Sequence, residues 1–152
     1  LPADTNSLDN LFGGELLARM DKVASIAAIK HSEQIVVTAS INNVAFGEPV
    51  PNGSILTIEA KVSRAFNTSM EVFIDVWKQN KTHKKRVKVN EAIYTFVAVS
   101  KSGKTVKVPP LVPETELEKK RFDAALRRRQ LSLVLAGKMK ANEATELKAI
   151  FD

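Results

Sequence analysis

The 152-residue chain contains no cysteine. That absence excludes disulfides, thiol nucleophiles and cysteine metal sites. Histidine is almost as scarce. His31 and His83 stand far apart without ligand spacing, so no zinc site is expected. No apolar run approaches the ~20 residues that a membrane span needs, so no stable membrane insertion is expected. No signal peptide is visible. Acidic residues are nearly missing from residues 78 to 107, where Glu91 stands against nine Lys or Arg. That stretch carries +8, more than the whole net charge of +6. It calls for an anionic partner: a nucleic acid, a membrane surface or a phosphate-bearing small molecule.

What is present is patterned. Residues 12 to 31 read as one helix that opens on Gly13 and Gly14. On a 100° wheel Leu16, Leu17, Met20, Ala24 and Ala27 share a face, with Glu15, Arg19, Lys22 and Lys30 opposite. The later turns, VASIAAI, are apolar nearly all round, which predicts a buried helix. Asp21 stands on the flank of the apolar face.

The period then changes to two. QIVVTASINNVAF, SILTIEAKVSRAF, SMEVFIDVWKQN and EAIYTFVAVS alternate and are rich in β-branched and aromatic residues, with KRVKV as a further candidate strand. GEPVPNG is a turn by composition. A long helix followed by long antiparallel strands predicts an α+β fold, with a curved sheet wrapped on a central helix. Pro109, Pro110 and Pro113 end the regular pattern. The division is residues 1–108 as the main domain and 109–152 as its helical appendage. In the appendage ETELEKKRFDAALRRRQLSLVLAG reads as a helix with acids first and bases later, suiting its dipole, and Gly137 as C-cap. ANEATELKAIFD reads as a short last helix with Asn142 as N-cap.

DTN (4–6), LFGGELLARMD (11–21), VVTASINNVAF (36–46), SMEVFIDVW (69–77) and YTFVAV (94–99) together resemble the hotdog-fold acyl-CoA thioesterases, in the cytosolic acyl-CoA hydrolase branch. VPPLVPETELEKKRFDAALRRR is similar to the same branch. The order and spacing of the segments are kept, and one departure is that only LPA precedes DTN. The resemblance implies a single hotdog fold. It implies dimers joined sheet to sheet, assembled as trimers of dimers, in the cytoplasm. It implies hydrolysis of acyl-CoA to a free acid and CoA, without metal or cofactor. By position it makes Asp21 the catalytic carboxylate. It also implies an assisting Asn from the preceding loop, acting across the dimer interface. Asn6 is the favoured match and Asn10 the alternative.

The chemistry is consistent with that. A thioester hydrolase polarises a carbonyl, supplies an oxygen nucleophile and releases a thiolate. The CoA thiol leaves with little acid assistance, so a site without Cys, a Ser-His-Asp set or metal is reasonable. Free amides at a helix N-terminus donate hydrogen bonds, and Gly13 and Gly14 let a substrate approach them. Their amides are the oxyanion-hole candidates. Asp21 is the candidate general base on water, or the direct nucleophile. Arg64 and Ser69 are candidate contacts for CoA phosphates or pantetheine, and Lys101 and Lys104 candidate phosphate clamps. His31 reads as a helix-end cap. Phe73 and Trp77 share a strand face and read as core or as the wall of an acyl tunnel.

Rival readings are a non-catalytic acyl-CoA or lipid-binding protein of this fold and a nucleic-acid-binding module. The retained Asp21 opposes the first. The second has no interleaved aromatics or helix–turn–helix to support it. A dehydratase of this fold would pair a His with a carboxylate, and His31 stands at the wrong end of the helix.

Overall fold

The structure is a computed structural model. It describes residues 1–82 and 85–149, and the side chains of all of these except 43–46. His83, Lys84 of the basic stretch and residues 150–152 of the expected last helix lie outside the described residues.

The first helix, α1 (Gly13–Ser32), begins at the glycine pair. Four strands follow: β1 (Ile35–Phe46), β2 (Ile55–Ala65), β3 (Ser69–Gln79) and β4 (Val87–Val99). They form one antiparallel sheet in the order β1-β4-β3-β2. KRVKV is thus the start of β4 and not a separate strand.

Alternation along the strands gives the sheet two faces. On the inner face Met70, Val72, Ile74, Val76, Ala92, Tyr94, Phe96 and Ala98 are buried. They share one core with Leu16, Met20, Ala24 and Ala28 of α1. Spacing of four residues puts those helix side chains in one row, and the two alanines bring the helix close to the sheet. The predicted burial of α1 all round is not met within one protomer. Ile26 remains 53% and Ile29 46% exposed, because none of the described residues covers that side of the helix.

The outer face carries α2 (Glu116–Leu135). Thr115 caps it: its hydroxyl accepts from the Glu118 amide at 3.1 Å while Glu118 accepts from the Thr115 amide at 2.9 Å. Gly137, at φ 72°, ends it as expected, with the Gly137 and Lys138 amides donating back to Val134 and Leu133. The bases of α2 do not serve its last turn, which holds none. They reach the sheet instead. Arg128 donates to both carboxylate oxygens of Glu71 at 2.9 and 2.7 Å, and Arg121 to both of Asp75 at 2.9 and 3.1 Å. Glu71 is 4% and Asp75 8% exposed. Phe73 lies on this face under the Arg121 guanidinium at 3.8 Å, and Trp77 lies near Arg86 at 4.8 Å. Both aromatics therefore pack against cations on the outer face and do not join the α1 core.

The last helix is shorter than its pattern. A 3-10 turn (Ala141–Glu143) precedes α3 (Thr145–Lys148), whose N-cap is Ala144 and not Asn142. Gln130 of α2 supplies the missing cap by accepting from the Glu146 and Leu147 amides.

Two further details position the site. In β1 Thr38 pairs with Phe96 but Ser40 with Thr95, so Ala39 is an extra residue, a bulge. His31 does not cap its own helix. Its Nε2 lies 2.8 Å from the Pro109 carbonyl, tying the proline segment to the end of α1, while Glu33 closes the helix at φ 56°.

Candidate active site

Asp21 lies in α1, half-buried, with its carboxylate turned to β1. Thr38 Oγ1 donates to Asp21 Oδ1 at 2.8 Å. Beneath the same turn Tyr94 is fully buried, and its hydroxyl donates to the Leu17 carbonyl at 3.0 Å. Burial and the nearby Asp21 charge push the Tyr94 pKa up to about 12. The phenol therefore stays protonated at any working pH.

About two turns before Asp21 is the helix N-terminus. Its N-cap is Phe12, which makes no side-chain cap hydrogen bond. The first-turn amides have no intrahelical partner. A Cβ added to Gly14 would meet nothing within 4 Å. An open donor end and a held carboxylate thus belong to one helix.

The preceding loop holds Asn6 by its own backbone. Its Oδ1 accepts from the Leu8 and Asn10 amides at 3.0 and 3.2 Å, so one half of the side chain shapes a turn. Arg19 of α1 pairs with Asp4 of this loop at 2.7 Å. Asn10 is half-buried beside Pro51, to which it bridges. Among the described residues no hydrogen bond joins Asn6 or Asn10 to Asp21 within the protomer.

The other predicted residues fall elsewhere. Arg64 stacks on Phe122 at 3.9 Å and donates to the Phe122 carbonyl at 3.0 Å, so it holds α2 to the sheet. Ser69 is buried on the outer face, where it lines a groove of about 320 Å³ with Phe66, Thr68, Arg128 and Arg129. Lys101 and Lys104 are exposed in the turn after β4, closed by Gly103 at φ 82°. Thr68 accepts from the Ala98 amide, so Ser69 and this turn share one end of the sheet. Within the basic stretch, Lys78 pairs with Glu48, Arg86 with Glu59, and Lys88 with Asp75 and Glu91. Part of its charge is thus spent inside the fold.

Sequence reasoning missed Thr38. A Thr in an alternating strand is an ordinary β-former, so its type gave no sign. Its phase gave none either, since alternation groups Thr38 with Val36 and Ser40 and puts Ile35, Val37 and Ala39 on the other side.

Residues 8–85 match the thioesterase superfamily family model. The chain is 39% identical over 127 residues to an uncharacterized acyl-CoA thioester hydrolase, YkhA, of Bacillus subtilis, covering 84% of this chain and 74% of that one. It is 36% identical over 124 residues to the human cytosolic acyl coenzyme A thioester hydrolase, covering 80% of this chain and 33% of that one. The chain therefore spans about a third of that human relative. A solved apo-hexameric acyl-CoA thioesterase superposes with a TM-score of 0.86 at 40% identity, covering 90% of this chain and 87% of that one. An acyl-CoA hydrolase from Staphylococcus aureus, solved with butyryl coenzyme A, coenzyme A and coenzyme A disulfide, does so at 0.82 and 36%, covering 98% and 90%. Further solved forms of the Staphylococcus aureus protein carry Ala in place of an Asn, an Asp and a Thr. These three stand at the same separations along that chain as Asn6, Asp21 and Thr38 along this one. By sequence and by architecture, this chain belongs to the thioesterase superfamily and has its hotdog fold.

Proposed function

We propose that the chain hydrolyses acyl-CoA to a free carboxylic acid and CoA, with Asp21 as its catalytic carboxylate. The observation that carries the reading is the Thr38–Asp21 hydrogen bond on a helix whose N-terminus is uncapped and open at Gly14. The thioester carbonyl would take hydrogen bonds from the first-turn amides, Gly13 and Gly14 among them. Thr38 holds one carboxylate oxygen and leaves the other to take a proton from water or to attack the carbonyl carbon itself. In either course the C–S bond breaks and the electron pair leaves on the CoA sulfur; in the second, water then cleaves the resulting anhydride to the free acid and restores the Asp21 carboxylate. The reading uses no group beyond the substrate. The matching separations of the Asn, Asp and Thr in the Staphylococcus aureus protein support these assignments.

The site is completed by a second copy of the chain. β1 is an edge strand, and Ile35, Val37 and Ile41 on it are exposed, as are Ile26 and Ile29 of α1. An exposed apolar edge is a liability that pairing removes. Asn6 of one copy would then meet Asp21 of the other, as the family resemblance implies, within a trimer of dimers. Related thioesterases are hexamers. Lys101 and Lys104, together with Ser69 at the same end of the sheet, are the proposed contacts for the CoA phosphates and pantetheine. The named human relative is cytosolic, and the cytoplasm is the proposed location here.

Thiol release measured over acyl-CoAs from two-carbon to long-chain tests the proposal. Release with at least one chain length, lost in Asp21→Ala, supports it. No release with any of them favours the non-catalytic binding reading. Mixing Asn6→Ala and Asp21→Ala subunits tests the shared site. Random pairing leaves one intact site in each mixed two-fold dimer, so activity should return to about a quarter of wild type. Verified mixed dimers with no gain would mean that either the shared site or the choice of Asn6 is wrong, and repeating the test with Asn10→Ala would tell these two failures apart.

A further inference from the structure

Only two side-chain hydrogen bonds join α1 to the sheet among the described residues. They are Thr38 to Asp21 and Tyr94 to the Leu17 carbonyl. They are not spread along the 20-residue helix but converge on one turn of it. In an α-helix the carbonyl of residue 17 also accepts from the amide of residue 21. The carbonyl has a second lone pair, and the Tyr94 hydroxyl takes it. The acceptor of the Asp21 main chain is therefore also the acceptor of a rigid group anchored in the centre of the sheet.

Leu16 and Met20 pack into the core before this turn, but the contact beyond it gives little register. Ala24 and Ala28 present small, smooth surfaces to the sheet, and apolar contact has no direction. Tyr94 itself is rigidly held. It is fully buried, stacks on Phe96 with ring centroids 6.3 Å apart, and lies in register between Ile41 and Val72. A phenylalanine would fill the same space. The hydroxyl adds a polar group to the core, which only a hydrogen bond offsets.

We infer that Tyr94 is a positioning residue for hydrolysis: its hydroxyl, through the Leu17 carbonyl, sets the height and rotation of the turn that presents Asp21. The inference rests on the assignment of Asp21 above. Thr38 orients the carboxylate from one side and Tyr94 fixes the backbone beneath it. The phenol remains a donor throughout the working range, because its pKa lies far above it.

The test is Tyr94→Phe, alone and in an Asp21→Ala background, by thiol release from an acyl-CoA that the wild type hydrolyses. Small misplacements of a catalytic group are costly, so kcat should fall about tenfold with KM nearly unchanged. The residual rate of Asp21→Ala should not fall further when Tyr94→Phe is added, because the two act through one group. Amide exchange should quicken at residues 17–21 and not in the last turns of α1. A Tyr94→Phe enzyme with wild-type kcat overturns the inference. So does an equal loss in both backgrounds, a uniform change in exchange, or a variant that fails to fold, since each marks ordinary core packing. An Asp21→Ala enzyme with normal turnover would instead remove the assignment of Asp21, which is read separately.

Discussion

The two faces of the sheet hold their helices by different physics. The inner face holds α1 through apolar area and small residues, with its hydrogen bonds gathered at one turn. The outer face holds α2 through two forked arginine–carboxylate pairs, Arg128–Glu71 and Arg121–Asp75. Apolar contact is insensitive to pH and salt but gives little register. Forked ion pairs give register but lose it when a carboxylate is protonated. Asp21, the proposed catalytic carboxylate, stands on the first kind of face, where Thr38 and Tyr94 bond to it and to the turn before it. The stability of the appendage depends on the second kind.

The sharpest break of this contrast is on the inner face. Asp21→Ala should lower kcat by roughly 10²–10⁴-fold while the fold and assembly remain, since it is proposed as general base or nucleophile. Thermal unfolding and size measured beside kinetics would show it. A comparable loss of stability would mean that Asp21 is structural.

On the outer face the order reverses. Arg128→Ala leaves the buried Glu71 without its charge partner and, among the described residues, with only the Ser63 hydroxyl donating to it at 2.6 Å, and removing one member of a buried pair costs about 3 kcal/mol. Denaturant unfolding should show that loss, with kcat in the surviving folded fraction little changed. If kcat falls as far as in Asp21→Ala, the two faces are not separable.

Acid sharpens the same point. Burial pushes the Asp75 carboxyl up, but hydrogen bonds and charge from Arg121 and Lys88 outweigh it, so its pKa lies below the ordinary 3.8. The folded value is the lower one. The pair's stabilisation is therefore complete above that ordinary value and is lost as pH falls through the folded value. Lys88 is opposite in sense. Burial lowers its pKa, but Asp75 and Glu91 raise it above 10.5, so its share is kept below 10.5 and lost as pH rises further. Asp75→Asn should flatten the fall of stability below about pH 4, followed by the fluorescence of Trp77, the only tryptophan. An unchanged slope would mean that other carboxylates govern acid unfolding.

Smaller effects belong to the exposed ends. Thr115→Ala should cost about 1 kcal/mol by removing the N-cap of α2. Replacing Lys101 and Lys104 together by Ala should raise KM for acyl-CoA and not for a truncated thioester without the nucleotide. The effect should weaken with salt, as the Debye length shortens to ~8 Å at physiological ionic strength. Equal effects on both thioesters would make these lysines surface charge only.

Much of this was legible in the sequence, and the exceptions have separate causes. The helix start at Gly13 and the four strands follow from local pattern. The side of β3 on which Phe73 and Trp77 fall did not, because β3 is apolar on both faces and its hydrophobic alternation is weak. The acids were the better guide. Glu71 and Asp75 are in phase with Phe73, and four strand residues span about 13 Å. Arg121 and Arg128 share a helix face and are about 10 Å apart along it. That near match of acidic strand to basic helix was readable in principle. Thr38 and Tyr94 were not, because each is an ordinary strand residue until the helix is laid over it. The exposed Ile26 and Ile29 belong to neither group, because none of the described residues packs over them.

The bulge at Ala39 has a consequence for how the length of the chain can vary. Residues on either side of it already pair as if it were absent: Thr38 with Phe96, Ser40 with Thr95. Removing Ala39 would straighten β1 and keep every other side chain on its present side. Removing Ser40 would do the same, with Ala39 taking the place opposite Thr95, whereas removing Val37 would turn over either Val36 or Thr38. A one-residue gap in this strand is therefore tolerable at the Ala39–Ser40 position and disruptive before it. Chains that differ in length here while keeping the threonine and the aspartate should place their difference at that position.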